Sequence, residues 1–175
     1  FEESHDILKR LAAADPSFAE GPGAAGVCLH SLGDVLAIQG DLAAARRLYQ
    51  ESLDIGKRLA AADPSSAERQ RDVSVSLNKL GDVLVAQGDL AAAQRLYQES
   101  IEIRKRLAAA DPSSAERWRD VLVSMSRLTR FPDSGITWQH VVSVMEDMHH
   151  RGVLAPTDVG ALEEARRQAT VGATP

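Results

Sequence analysis

Residues 31–65 and residues 79–113 are two copies of one passage, offset by 48 positions. The first reads SLGDVLAIQGDLAAARRLYQESLDIGKRLAAADPS and the second KLGDVLVAQGDLAAAQRLYQESIEIRKRLAAADPS, with 28 of the 35 paired positions identical. A fragment of the same text, KRLAAADPS, stands at positions 9–17. Self-similarity at a fixed period constrains the fold more than any other feature, because a unit of this size cannot bury its apolar face alone and must stack on its neighbours.

The copy from Ser65 to Pro112 predicts two helices. Asp63-Pro64-Ser65-Ser66 breaks the preceding segment, and Ser65 with Glu68 has the form of a capping box. Apolar residues then recur at Val73, Leu77, Leu80 and Leu84, the spacing of one helix face. Gln87-Gly88-Asp89 ends that helix: Gly88 suits a left-handed C-cap, and Asp89 can cap the next helix. The second helix runs through Leu90, Ala93, Leu96, Tyr97, Ile101, Ile103 and Leu107 to Ala110, and Asp111-Pro112 closes the unit. Each repeat is therefore expected to be two antiparallel helices of about 20 residues joined by a short turn.

Leu77, Leu80-Gly81, Leu84, Gly88, Ala93, Tyr97 and Ser100, matched by Leu29, Leu32-Gly33, Leu36, Gly40, Ala45, Tyr49 and Ser52, form a pattern of large, small and aromatic residues that resembles the tetratricopeptide repeat. Phe1 lies 48 residues before Tyr49, so the chain is expected to begin inside the second helix of a previous unit. The resemblance covers residues 1–128 and departs from the family in length, 48 residues against the usual value of about 34. The surplus amounts to about four helical turns, or roughly two for each helix, and is similar to the long-helix repeats of kinesin light chains. The resemblance implies an all-α fold, a right-handed α-solenoid of antiparallel helix hairpins with about seven to eight helices. It implies that Gly33 and Gly81, with Ala45 and Ala93, let the two helices of a hairpin approach closely. Tyr49 and Tyr97 would fill the gap between one hairpin and the next.

The repeat fails in two places. Glu20-Gly21-Pro22-Gly23-Ala24 replaces the Glu68-Arg69-Gln70-Arg71-Asp72 of the second copy, and two glycines and a proline do not suit a helix interior. Residues 18–23 are expected to form a loop and the helix to begin near Ala24; the stretch reads as a decayed repeat, with a hinge or an N-terminal boundary as the alternative. After Leu128, Thr129-Arg130-Phe131-Pro132-Asp133 interrupts the third copy. Trp138, Val141, Val142, Val144, Met145 and Met148 then give an amphipathic stripe ended by Arg151-Gly152. Thr157 or Asp158 is expected to cap a last helix containing Val159, Leu162, Ala165 and Arg166. The predicted organisation is a repeat array over 1–128 and a divergent capping hairpin over 131–175. The array comprises a partial repeat at 1–17, repeats at 18–65 and 66–113, and the first helix of a third at 114–130; the last residues, 170–175, are expected to fray.

Chemistry finds little to work with. Cys28 and His30 diverge by about 200° around one helix, and Cys28 pairs with Ser76 and Ser124, so it reads as a packed thiol. His140, His149 and His150 lack the i, i+3 or i, i+4 spacing of a metal site and read as surface or helix-end residues. Phosphate-binding glycine loops are absent from the sequence. No catalytic residue, cofactor or metal is expected, and the chain is not expected to be an enzyme. A net charge of -5 argues against nucleic acid as a partner, and no apolar run is long enough to span a membrane. One cysteine and no visible signal peptide fit a cytoplasmic protein, and the Ala-, Arg- and Asp-rich composition has a bacterial character.

In the family resembled, the first helix of each hairpin lines a concave groove. The matching positions are Val27, His30, Asp34 and Ile38 in the first copy, Val75, Asn78, Asp82 and Ala86 in the second, and Val123, Ser126 and Arg130 in the third, with Arg71 and Arg119 one turn earlier. The resemblance implies a non-catalytic scaffold that binds a peptide or helix of a partner there. Asn78 with Arg119 or Arg130 would hold a peptide backbone or carboxylate, and Asp34 and Asp82 would favour a basic partner. The alternatives are a self-assembling module, associating through exposed terminal helices, and the regulatory arm of a larger enzyme. Function is expected where the copies differ.

Overall fold

The computed structural model describes residues 24–171. The expectations for the partial repeat at 1–17, the loop at 18–23 and the end of the tail at 172–175 lie outside the described residues. Seven α-helices are described: α1 (Ala24–Ile38), α2 (Leu42–Ala62), α3 (Ala67–Ala86), α4 (Leu90–Ala110), α5 (Ala115–Leu128), α6 (Trp138–His150) and α7 (Val159–Val171). Short 3-10 turns at Pro132–Ser134 and Pro156–Asp158 precede α6 and α7. The described fold is all-α and built of helix hairpins, and α2, α3 and α4 have the 20 or 21 residues that a 48-residue period requires.

The turns form for local reasons. Gly40 and Gly88 both take φ +84°, which a side chain would oppose. The amides that follow reach back to the helix, Asp41 N–H to the Leu36 carbonyl and Asp89 N–H to the Leu84 carbonyl, each at 2.9 Å. The same aspartates start the next helix: Asp41 accepts from the Ala44 amide at 2.9 Å and Asp89 from the Ala92 amide at 3.1 Å. At the other end of each unit the capping residue is one place later than the sequence suggested. Ser66 and Ser114 cap α3 and α5 by accepting from the Arg69 and Arg117 amides, at 3.3 Å each. Ser65 and Ser113 instead donate to Asp63 and Asp111, at 2.7 and 2.9 Å, because each lies inside the Asp-Pro-Ser turn.

The described residues divide into two compact units, one up to Ala93 and the other from Gln94. In the first, α2 packs on both α1 and α3. Its core is Leu29, Leu36, Ala45, Leu48, Tyr49 and Leu53 with Val73, Leu77, Leu80 and Leu84, the i, i+3, i+4 face read from sequence. Ala45 is fully buried, and Gly33 faces the Tyr49 ring so closely that a Cβ there would lie 2.5 Å from Cε1.

In the second unit α6 packs on α5 and on α7. Val141, Val142, Met145 and Met148 form the buried stripe of α6, and Leu162 and Ala165 are buried on α7, which packs on it. Arg151 closes α6, Gly152 takes φ +69°, and the Val153 amide reaches the Met148 carbonyl at 2.8 Å. Neither Thr157 nor Asp158 is taken up in the expected cap. The Asp158 carboxylate accepts from the Thr157 hydroxyl at 3.5 Å and pairs with Arg119 at 2.6 Å, and α7 grows directly from the 3-10 turn. A second tie runs from the last hairpin to the start of α5: the Arg151 guanidinium lies 4.9 Å from the Trp118 ring centre. Among the described residues, no helix is long and apolar enough to cross a membrane.

Candidate functional site

The face on which α1 and α3 lie side by side carries most of the polar chemistry of the first unit. Three side chains meet at its centre. His30 Nε2 is 2.9 Å from Ser76 Oγ and 3.0 Å from Ser52 Oγ, and the two hydroxyls are 3.1 Å apart. Ser76 also reaches the Asp72 carbonyl at 3.1 Å. Burial, helped by the charge of Lys79 and opposed by that of Asp34, holds the His30 pKa below its ordinary value. The imidazole is therefore neutral at pH 7 and serves as a hydrogen-bonding partner, not a cation.

One turn further along α1, Asp34 joins α2 and α3. The Lys79 ammonium donates to both its oxygens, at 2.6 and 2.7 Å, and the Tyr49 hydroxyl donates to Oδ1 at 2.5 Å. Burial works against the Asp34 carboxylate, but the hydrogen bonds from Lys79 and Tyr49 outweigh it and hold the group below the usual carboxylate range. Burial and the same carboxylate push the Tyr49 phenol upward. Asp34 was expected to attract a basic partner; the cation it holds is the chain's own Lys79.

Beside the His30 cluster is a cleft of 170 Å³ between α1, α2 and α3, with Gly26, His30, Gly56, Arg71, Asp72 and Val75 on its walls. Of the expected groove residues it gathers His30 and Arg71, together with Val27 and Val75. Burial, with the nearby Glu68, raises the Asp72 carboxyl above the usual range, and Arg71 offsets part of this. Val27 and Ile38 stand out from α1 at 61% and 86% exposure.

The other expected residues are placed differently. Asn78 is 3% exposed, so its amide is a core group and not a peptide-holding one; on the helical wheel it takes the register of His30, which is partly buried. Asp82 is half-buried on α3. In the second unit Arg119 spends its guanidinium on Asp158, and the Ser126 hydroxyl donates to the Val123 carbonyl at 3.0 Å. Arg130 is exposed at the end of α5.

Ser52 entered the sequence reading only as part of the repeat pattern and Ser76 only as the counterpart of Cys28, and Lys79 was not singled out. Lys79 had a signal, since it is one of the seven differences between the copies, with Ser31 at the paired position. Nothing marked Ser52 and Ser76 as partners of His30, since both are repeated as Ser100 and Ser124, which form the same hydroxyl pair at 3.2 Å. A histidine beside two serines resembles a nucleophile with its base, but both hydroxyls are buried, at 3% and 1% exposure, where a substrate has no access.

Among the described residues no group of histidine, cysteine and acidic side chains could hold a metal ion. Cys28 is a free, half-buried thiol. His140 accepts from the Thr137 amide at 3.1 Å at the start of α6, while His149 and His150 are exposed in its last turn.

The lowered His30 pKa gives a pH prediction. The unfolded chain binds the imidazole proton near 6.5, the folded chain only at lower pH, so stability falls as pH drops below 6.5 toward the folded value. His30→Asn, which installs the residue of the paired position, should flatten that part of the profile. Urea midpoints at pH 7.5 and 5.5 check this, and equal slopes in the two proteins would refute it.

Comparison with protein-family models gives a match over residues 29–106 to the model described as the tetratricopeptide repeat. Comparison with curated proteins gives no match.

Proposed function

Because residues 29–106 belong to the tetratricopeptide repeat family, we propose that the first unit holds a peptide or helix of a protein partner on its α1–α3 face. Repeats of this family generally mediate protein–protein interaction. The observation that carries the reading here is a cleft flanked by exposed apolar residues. Val27 and Ile38, at 61% and 86% exposure, lie along the face that also opens at His30 and Arg71. With the cleft they give this face apolar surface that a partner would cover.

The role is non-catalytic. His30 is committed to two buried hydroxyls, and Asp34 to Lys79 and Tyr49, so the polar groups of this face are spent on holding α1 against α2 and α3. The α6–α7 hairpin is tied to α5 through Arg119–Asp158 and Arg151–Trp118.

Selection of peptides from a displayed random library tests the reading. Selected peptides should bind Val27→Asp/Ile38→Asp roughly tenfold or more weakly, since two apolar contacts of about 1 kcal/mol each are replaced by charge. They should bind Gln50→Ala, on the exposed side of α2, as they bind the native chain. Peptides indifferent to the α1 substitutions, or no selected peptides at all, would refute it.

A further inference from the structure

Among the seven differences between the copies, one exchanges glycine for arginine: Gly56 stands where the next copy has Arg104. In the second unit Arg104 is only 3% exposed, and its guanidinium donates to the Asp120 carbonyl at 2.6 Å. The fold thus buries an arginine from the second helix of a hairpin against the first helix of the next. In the first unit the paired residues are Gly56 and Asp72, and both line the 170 Å³ cleft. A second exchange acts in the same direction. Gly26, on the cleft wall, stands where the next copy has the fully buried Ser74.

We propose that this cleft receives an arginine side chain from a protein partner, its guanidinium taking the place that Arg104 fills in the next copy. The proposal rests on the interaction reading above and names the partner's chemistry. The volume lies below the roughly 300–1,000 Å³ of small-molecule sites, and suits a single side chain. The wall offers Asp72, whose counterpart Asp120 accepts from Arg104 in the next copy. A planar guanidinium with five donors matches a carboxylate better than an ammonium does. Burial leaves the Asp72 charge poorly solvated beside Glu68, and an incoming cation relieves it. His30, kept neutral by burial, does not repel that cation. Arg71 is engaged in an interaction of its own, and with Val27 and Val75 it supplies cover for an aliphatic stem.

The backbone leaves room for the decisive variant. A Cβ on Gly56 would meet its nearest neighbour, Val73 Cγ2, at 3.4 Å. Gly56→Arg can therefore send its own guanidinium into the cleft, as Arg104 does.

The probe is N-acetyl-arginine methylamide, titrated into ¹⁵N-labelled protein, with the uncharged citrulline analogue as its size-matched control. The arginine compound should shift the amides of Gly26, Gly56 and Val75. The citrulline compound should bind at least about fivefold more weakly, having lost its charge-assisted hydrogen bonds. Gly56→Arg should abolish the shifts, Gly56→Ala should keep them, and Asp72→Asn should weaken them at least about fivefold. Absence of shifts around Gly56, equal binding of citrulline, or shifts surviving in Gly56→Arg overturns the proposal. If Gly56→Arg unfolds, the Asp72→Asn titration decides, and unchanged affinity overturns it. Failure here with selected peptides still mapping to the α1–α3 face removes the arginine assignment alone; failure of both removes the interaction reading as well.

Discussion

Phe131→Ala lowers the stability of the second unit by about 3–4 kcal/mol, the cost of emptying a buried aromatic site. Phe131 is 7% exposed, and its ring lies 6.0 Å from the fully buried Tyr97 at an interplanar angle of 53°, the tilted geometry that adds to simple burial. It stands between the end of α5 and the 3-10 turn at Pro132–Ser134, so its loss frees the connection on which α6 and α7 are hung. The Phe131 amide donates to the Leu128 carbonyl at 3.0 Å, a backbone bond that the substitution does not remove, so the loss is one of packing. Phe131→Leu, which refills most of the volume, should lose only about 1 kcal/mol. Urea denaturation followed by the fluorescence of Trp118 and Trp138 measures both. A loss below about 1 kcal/mol for the alanine variant would show that Phe131 does not anchor the last hairpin.

Gly33→Ala is the second large effect. The added Cβ would lie 2.5 Å from Tyr49 Cε1 and 2.9 Å from Cδ1 and Cζ. The ring cannot withdraw, because Tyr49 is 2% exposed and its hydroxyl is held by Asp34. The cost is overpacking of about 3 kcal/mol, offset by about 1 kcal/mol from the better helix propensity of alanine. The net loss of about 2 kcal/mol follows from these two terms. Gly160→Ala is the control: nothing lies within 4 Å of its Cβ position, and the same substitution should stabilise by about 0.5–1 kcal/mol. Denaturation midpoints that move in the same direction for both variants would refute the explanation.

How far the sequence reached can be judged from these residues. The close approach at Gly33 and the filling role of Tyr49 were legible, because the glycine and the tyrosine recur at fixed offsets in both copies. The turns at Gly40 and Gly88 were legible for the same reason, and because a left-handed residue between two helical patterns leaves few choices. Phe131 was legible only as an interruption. That its ring meets Tyr97 depends on the turn that ends α5, where the Phe131 amide reaches back to the Leu128 carbonyl.

The candidate site was less legible. The resemblance assigned His30, Asp34, Asn78 and Asp82 to one groove face, but a face is not an exposure. Asn78 sits on that face and is buried, while Ile38 sits on it and is 86% exposed. Nor could spacing name partners 45 and 39 residues apart. Lys79 claims Asp34, and Asp158 claims Arg119, through ion pairs between separate elements. The expectation that function lies where the copies differ pointed to His30 against Asn78, Ile38 against Ala86, and the trio Arg71, Arg119 and Arg130. Gly56 against Arg104 is a further difference, and its meaning needed the cleft.

The sequence by itself determined the period, the helices, the turns between them and the small and aromatic residues at which hairpins meet. These follow from interactions within a few residues or from repetition of one pattern. Only the tertiary structure decided which charges are already paired, which polar groups are buried and where a missing side chain leaves a cleft. Those properties belong to surfaces brought together from three helices, and no local spacing encodes the volume between them.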